Sequence, residues 1–587
     1  MPTPFALLDL PGGGAFRFAK LRRTLRASDR DAVRACCREA EAAAAAGLHV
    51  VAALDYELGY LFEPHAGPAP AAPSACFWIF SEREALGAAA LAAFLGGLAG
   101  EPPRPATVAD FRPLLDAAGH ALAVARIHDY IAAGDCYQVN FTFPFAGTCV
   151  GDPLALYARL RAAQPVAHGG LVVTPEACIL SLSPELFVER SGGILRSRPM
   201  KGTAPRGAGA QQDAAARAAL AASAKDRAEN VMIVDLIRND LGRVARPGSV
   251  QVESMCAVET YPSVHQMTST VSAACDADLE TVLAALFPCG SITGAPKVRA
   301  MQIIDELEDA PRGLYTGALG WLGKDGEFRF NVAIRTLLVD AAGAVRYGVG
   351  SGIVWDSRPA EEYAECLLKA SFVTRADPGF RLIETLRLVD GDYPLLALHL
   401  DRLQSSAGTL AFACDHEAVA DALRDLAAQH AAGTYRVRLT LGRDGDLELA
   451  TAPLAATGSG MRAVFSSQRL DSHSPWLRHK TTVRALYEDE LARLSADPMV
   501  FDAIFLNERG EVCEGARSNV FVRQAAGGLL LTPPLSSGLL PGVLRRQLLE
   551  RGEAEERVLR EEDLRGAAEL YLGNALRGLV PVSLAGA

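Results

Sequence analysis

The 587-residue chain carries 58 Lys and Arg against 69 Asp and Glu, a formal net charge of −11, which argues against nucleic acid or an anionic membrane as its main partner. Half of its residues are hydrophobic and 22% are charged, a globular composition in a chain too long for one core, so two or more domains are expected. Its 12 cysteines form no Cys-x-x-Cys pair and no zinc-ligand spacing, which points to reduced, buried thiols of a cytoplasmic protein rather than a disulfide scaffold.

Met1-Pro2-Thr3-Pro4-Phe5 has no basic run, so no secretory signal is expected. Strand-like pieces such as His49–Leu54 then alternate with Ala-rich helical ones such as Ala32–Ala46, while Ala66–Pro73 and Glu101–Pro105 read as loops. The uncharged run Ala85–Gly100 falls short of the ~20 residues a membrane span needs, and a buried or surface helix is predicted. Tyr130–Thr142 reads as a helix ending at Gly134, then a strand with Gln138 and Asn140 on one face and Tyr137 and Val139 on the other.

Ser183-Pro184-Glu185 and Arg198–Thr203 follow. Lys201 stands between a proline turn and a Gly-Thr pair, where an amine with a lowered pKa could act as a nucleophile; by itself, a lysine beside a turn is ordinarily a solvated charge. Ala224–Leu241 has helical spacing, with Val231, Val234 and Ile237 apolar and Glu229 near the polar face. Ser291–Lys297 opens another helix, with Pro296 suited to its first turn; the amides of Gly294 and Ala295 form a candidate anion site, an ordinary capped helix being an equal alternative.

Tyr315–Gly320 and Phe328–Val339 read as paired strands placing Arg335 near a cleft, and Tyr347–Val354 as a glycine-rich strand that a ligand can approach. Glu365 and Lys369 share a helix face, which a surface ion pair would explain. Ala370–Gly379 is a boundary. Beyond it come Phe380–Arg387, His399–Leu403, a strand at Tyr435–Leu441, His479–Arg484 with Tyr487, Glu514–Phe521, Leu540–Arg545 and Asn574–Val582.

The series Glu185, Lys201, Arg227-Ala228-Glu229-Asn230, Thr293–Lys297, Arg335-Thr336, Gly348-Val349-Gly350, and Glu365 with Lys369 resembles the chorismate-utilising enzymes. The resemblance is strong from about residue 110 to 375 and weak before that. It implies an α/β sandwich over residues 1–375, like anthranilate synthase component I, with chorismate as substrate and Mg2+ held by Glu229 and Glu365, with Glu362 beside them. Lys201 would be the covalent nucleophile and Glu185 the general acid or base. His265 is either a histidine near the leaving group or a core histidine. Thr293, Gly294, Ala295, Tyr315, Arg335, Gly348, Gly350 and Lys369 would contact the substrate.

Within this family lysine at 201 marks the members that aminate chorismate at C4; anthranilate-forming relatives carry alanine there. Gln138 stands where ring-hydroxylating relatives have a lysine that activates water, which argues against isochorismate or salicylate formation. No Gly-x-Cys-x-Gly glutaminase nucleophile occurs, so ammonia is expected from solution or from a separate glutamine amidotransferase subunit. There is no Leu-Leu-Glu-Ser element, so tryptophan feedback is not expected.

Residues 379–587 resemble the fold-type IV pyridoxal phosphate proteins, a group spanning aminotransferases and lyases. That resemblance implies two α/β subdomains with the cofactor in the crevice, Lys480 as the Schiff-base lysine and Glu514 on the pyridinium nitrogen. Arg402, Gly542 and Val543 would bind the phosphate, with Asn574 also at the cofactor. Gly573 and Ala575 depart from the Ser or Thr of many relatives. Relatives imply a homodimer through this half. The joint expectation is a bifunctional enzyme that aminates chorismate to 4-amino-4-deoxychorismate and then eliminates pyruvate, giving 4-aminobenzoate for folate. The alternatives are a synthase subunit fused to an amino acid aminotransferase, and a non-catalytic scaffold that activates a glutaminase.

Overall fold

The computed structural model describes residues 3–68, 74–261 and 264–585; positions 69–73 of the expected Ala66–Pro73 loop lie outside the described residues. It comprises two compact units, Met1–Ala376 and Asp377–Ala587. Among the described residues no helix is long and apolar enough to cross a membrane. The Ala-rich run expected as a helix is one at Ala88–Ala99, and of its residues only Leu91 is buried.

Among the described residues of the first unit, eighteen strands join into one hydrogen-bonded network. The network folds back on itself, so that Phe18, Trp78, Phe80, Val172, Ile179 and Leu319 meet in an inner core. Each large side chain buried there contributes about 1.5–3 kcal/mol. One group of helices, including Arg30–Ala45, Ala224–Gly242 and Lys297–Leu307, covers one outer face and buries Cys37, Ile233 and Met301. A second group, including Pro153–Ala163 and Pro359–Arg375, buries Leu160 and Cys366 against Leu171 and Tyr347. Sheet layers with helices outside are the α/β sandwich.

Two local departures from the sequence expectation shape the site. In the Ala224–Gly242 helix, capped where Ser223 Oγ accepts the Asp226 N–H at 3.2 Å, Val231 is 46% exposed while Asn230 and Asp240 are buried. These two polar groups sit on an inner face otherwise made of Ile233, Val234, Ile237 and Leu241 because they meet polar partners: Asn230 Oδ1 accepts from Ser269 Oγ, and Asp240 pairs with Lys297 at 2.5 Å. Phe328–Val339 is two strands, Phe328–Val332 and Thr336–Asp340. The first pairs with Leu186–Ser191 and the second with Ala177–Ser181, and the chain changes neighbours through Arg335, whose φ is +50°.

The second unit contains a three-stranded antiparallel sheet (Leu382–Val389, Thr434–Leu441, Leu447–Pro453) and a nine-stranded mixed sheet beginning at Arg462–Leu470. The segment carrying Lys480 is fixed to the small sheet: the Ile383 N–H donates to Lys480 O at 2.8 Å and the Thr482 N–H to Arg381 O at 2.9 Å. These bonds hold the lysine's own carbonyl and the chain two residues beyond it.

Candidate active sites

Lys201 lies on the strand Met200–Pro205, where pairing with Val264–Ala274 slips between Met200 and Thr203. Gly202, at φ +82°, makes the slip feasible, and a Cβ there would collide with Asp226 of the neighbouring helix at 2.9 Å. The lysine side chain extends toward Gly352, where an added Cβ would lie 3.6 Å from Lys201 Nζ and 2.1 Å from Gln138 Nε2. Burial pushes the amine below the ordinary lysine value; Glu229, Glu185 and Glu365 oppose this, while the Lys369 ammonium adds to it. One amine therefore feels three carboxylates and one competing cation.

Glu185 is 4% exposed and its Oε1 accepts from Ser291 Oγ at 2.7 Å. Burial raises its carboxyl to about 7, against the pull of the Ser291 hydrogen bond, the Lys201 charge and the Met200 N–H. Gln138 is buried on the same side, and among the described residues its Oε1 has no hydrogen-bond partner. Arg335, depressed by burial, has no carboxylate pairing with it among the described residues, which leaves its guanidinium open to an anion.

Two of the carboxylates that act on the Lys201 amine, Glu229 and Glu365, are the expected metal ligands, and Glu362 acts on Glu229. Glu229 is half-buried and raised by burial, with Glu362 adding like-charge repulsion. Glu365 pairs with Lys369 at 2.7 Å, Lys369 also donates to Gly350 O at 2.9 Å, and Glu362 accepts from Ser357 Oγ at 2.7 Å. Among the described residues no three His, Cys, Asp or Glu side chains converge tightly enough to hold a metal by themselves. Mg2+ needs only one or two carboxylates, the rest of its shell being water and substrate oxygen. Glu229 and Glu365, both acting on Lys201, fit that demand.

Four other expected sites, at His265, Gly294 with Ala295, Thr293 and Gly348, have the following surroundings. Both ring nitrogens of His265 are engaged, Nδ1 with Thr260 Oγ1 and Nε2 with Asp213 Oδ1, each at 3.0 Å. Asp213 is also held by Arg206, so the histidine serves a surface-side network and is not joined to Lys201 or Glu185. Gly294 and Ala295 form a two-residue strand against Val139 and Gln138, and the helix begins only at Lys297 with Pro296 as its N-cap; the segment is a strand pairing rather than an open turn of amides. Thr293 is buried with its hydroxyl on Cys289 O at 2.8 Å. Gly348 lies under the Tyr315 ring, where a Cβ would meet Cδ1 at 2.2 Å, whereas Gly352, two residues beyond Gly350, faces Lys201.

In the second unit a cavity of about 460 Å³ is lined by Lys480, Glu514, Arg402 and Gly542, among others. Lys480 is lowered to about 7 by burial and by Arg484 and Arg402, with Glu384 and Glu514 opposing. Glu514 Oε1 accepts from Tyr487 Oη at 2.6 Å and Oε2 from the Leu540 N–H at 3.0 Å, so both oxygens are oriented, and burial raises the carboxyl. Arg402 donates to Glu384 at 2.8 and 2.6 Å and to Pro541 O at 3.2 Å; Glu384, which also contacts His399 at 2.7 Å, is held down at about 2. Arg402 is thus tied to the Pro541–Gly542 turn.

At Gly542 a Cβ would lie 1.8 Å from Asn519 Oδ1, and the Val543–Glu550 helix starts there. Asn574, expected at the cofactor, lines the same cavity, and its side chain is engaged locally. Its Oδ1 accepts the Leu576 and Arg577 N–H groups at 3.1 and 2.9 Å, and its Nδ2 donates to Arg517 O at 3.1 Å. An amine near neutrality beside a buried, oriented carboxylate, with a helix start nearby, fits pyridoxal phosphate through the chemistry of its donors.

Residues 11–375 match the model of the chorismate binding enzymes, and residues 381–585 that of amino-transferase class IV. Aminodeoxychorismate synthase component 1 of Klebsiella aerogenes is 46% identical over 248 residues, 42% of this chain and 55% of that protein. Anthranilate synthase component 1 of Streptomyces coelicolor is 43% identical over 250 residues, 42% of this chain and 49% of that protein. The chain thus spans about half the length of the curated relatives it matches. Anthranilate synthase component I from Streptococcus pneumoniae is a structural match with TM-score 0.51 and 26% identity, over 64% of this chain and 93% of that one. With well over half of its length matched, the chain belongs to the chorismate binding enzymes, and its remaining third carries an amino-transferase class IV domain.

Proposed function

We propose that the chain makes 4-aminobenzoate for folate in two steps, amination of chorismate in the first unit and pyruvate elimination in the second. The observation that carries the first step is Lys201, an amine that burial holds below the ordinary lysine value, near Glu185, whose carboxyl burial raises to about 7. Alanine in its place would remove the covalent route, and this favours amination at C4 over anthranilate formation.

Lys201 Nζ forms a bond to ring C2, both conjugated ring double bonds shift by one position, and the C4–O bond breaks. Glu185, still protonated near neutrality, gives its proton to the departing hydroxyl, which leaves as water. Ammonia then bonds to C4, both double bonds shift back, the C2–Nζ bond breaks, and a proton goes back to Glu185. Arg335 and Lys369 would neutralise substrate carboxylates. Glu229 and Glu365 would hold Mg2+, which would supply charge neutralisation for a dianionic substrate.

In the second unit, pyridoxal phosphate when bound supplies an electron sink for a carbanion. Glu514, aimed by Tyr487 and the Leu540 N–H, would keep a proton on its ring nitrogen. Lys480 Nζ would remove the C4 proton of the substrate; the C3–O bond then breaks, enolpyruvate leaves and tautomerises to pyruvate, and the ring becomes aromatic. Gly542 and Val543, with Arg402 behind them, would receive the phosphate.

Ammonia would come from a separate glutaminase subunit, consistent with a relative named as a component 1. The twelve free cysteines fit a reducing compartment such as the cytoplasm. The test is product analysis from chorismate, Mg2+ and ammonia. 4-Amino-4-deoxychorismate is expected without pyridoxal phosphate, and 4-aminobenzoate with pyruvate when it is added. Formation of 2-aminobenzoate instead would make the chain an anthranilate synthase.

A further inference from the structure

The cavity of the second unit carries positive charge that the cofactor site does not use. Arg436, Arg517 and Arg577 line it together with Lys480 and Glu514. Among the described residues none of the three forms an ion pair with a carboxylate. Uncharged groups hold two of them. Arg577 Nη1 donates to Thr457 Oγ1 at 2.8 Å and to Ala455 O at 3.0 Å. Arg517 lies over the Phe501 ring at 5.0 Å and donates to Phe501 O. Arg436 extends from the strand Thr434–Leu441 at its pairing with Ala452.

Asn574 joins two of them, donating to Arg517 O and accepting the Arg577 N–H. Arg517 and Arg436 both depress Arg577, together with burial, so their fields overlap at one place. Asp502 is within electrostatic range of Arg517, but its oxygens accept from Ser518 Oγ and from the Ala503 and Arg517 N–H groups. The other cations of the cavity are committed: Arg402 to Glu384 and Pro541 O, Arg484 to Ala516 O at 2.5 Å and the face of Tyr487.

Three guanidinium groups that line one cavity without a counter-ion repel one another until an anion joins them. Their planar donor pairs match carboxylates. Resting on the lyase reading of this unit, we propose that Arg436, Arg517 and Arg577 form a clamp for two carboxylates of one substrate, selecting a dicarboxylate over a monocarboxylic amino acid. Asn574 is then a positioning residue for the clamp. A monocarboxylate leaves at least one guanidinium unpaired in the cavity, and such an unmet partner is what makes a site discriminate strongly.

The test uses the full chain loaded with pyridoxal phosphate, with isophthalate and benzoate as probes carrying two carboxylates and one. Binding is read from the visible absorption of the bound cofactor, which reports this cavity and not the first unit. Isophthalate is expected to bind about tenfold or more tighter than benzoate. Arg577→Met and Arg436→Met each lower isophthalate affinity about tenfold, change benzoate by about twofold or less, and keep the cofactor band. With supplied 4-amino-4-deoxychorismate, KM rises in these variants far more than kcat falls, and Arg577→Lys restores part of the loss.

Equal affinity of the parent chain for the two probes overturns the clamp, and so does an absence of any response to isophthalate. Loss of the cofactor band in the variants also overturns it and assigns the arginines to the cofactor phosphate. If the parent prefers isophthalate yet releases no 4-aminobenzoate from supplied substrate, the clamp stands and the lyase reading falls.

Discussion

Ser291 Oγ donates to Glu185 Oε1 at 2.7 Å, across 106 residues of sequence, and this hydrogen bond opposes the rise that burial imposes on the carboxyl group. Burial raises Glu185 to about 7 while the Ser291 bond favours the ionised form. Ser291→Ala should therefore move the Glu185 limb of the amination pH profile to higher pH, by about half a unit to one unit. An unmoved limb would separate Glu185 from the proton transfer.

The same shift fixes a stability effect. From the ordinary value of 4.5 up to about 7 the folded chain keeps a proton that the unfolded chain has released, so stability falls as pH rises through that window. Above it, ionised Glu185 costs on the order of 3 kcal/mol. Glu185→Gln should raise the Tm of the first unit's transition by roughly 2–6 °C near pH 8 and hardly at all near pH 4. Calorimetry at the two pH values decides it; an equal effect at both would mean the glutamine acts through packing.

Glu229→Gln and Glu365→Gln should each impair amination and spare elimination from supplied intermediate, because amide oxygen is a weaker ligand for a hard cation. The Mg2+ concentration for half-maximal rate should rise about tenfold or more in each variant. Glu362→Gln should act less, since its Oε1 is engaged by Ser357. A variant with the parental Mg2+ dependence would remove that residue from the metal site.

Much of this arrangement was legible in the sequence, for definite reasons. Glu229, Glu365 and Lys369 sit on helices, where spacing of three or four fixes a common face, and Lys480 and Glu514 stand in segments with a recognisable order. What spacing could not give was strand register. Gly348, Gly350 and Gly352 repeat every two residues, so sequence alone cannot say which pair meets the amine; the pairing of Gly352 with Asn140 in the neighbouring strand decides it. Arg335 was expected at a cleft, but the +50° φ that turns the chain there is set by a change of strand partner. His265 and Asn574 were assigned by resemblance, and their partners Asp213 and Arg517 lie 52 and 57 residues away. No local pattern announces contacts of that range.

Lys480 offers a measurement on the cofactor-free chain. Its amine is held at about 7, with Arg484 the leading charge behind burial. Capture of pyridoxal phosphate needs the unprotonated amine, so borohydride-trapped label should rise with pH around a midpoint near 7. Arg484→Gln removes a cation and should shift that midpoint upward by about one unit. A midpoint that stays in place would show that desolvation alone sets the value.

The two units can be tested as independent catalysts by complementation. Lys201→Ala removes the proposed nucleophile from the first unit and leaves the second intact; it should make no 4-amino-4-deoxychorismate at the parental rate. Lys480→Ala leaves everything up to Ala376 unchanged and should convert chorismate to an intermediate that persists, because the amine that takes the C4 proton is gone. Neither variant alone should yield 4-aminobenzoate. Mixed, they should restore it, since each supplies one working site and the intermediate can diffuse between chains. A lag that shortens as the Lys201→Ala chain is increased would mark free diffusion of the intermediate. If Lys480→Ala by itself releases 4-aminobenzoate at the parental rate with no other lyase present, residues 377–587 are not the lyase. Their cavity would then have to be reassigned to transamination of an amino acid.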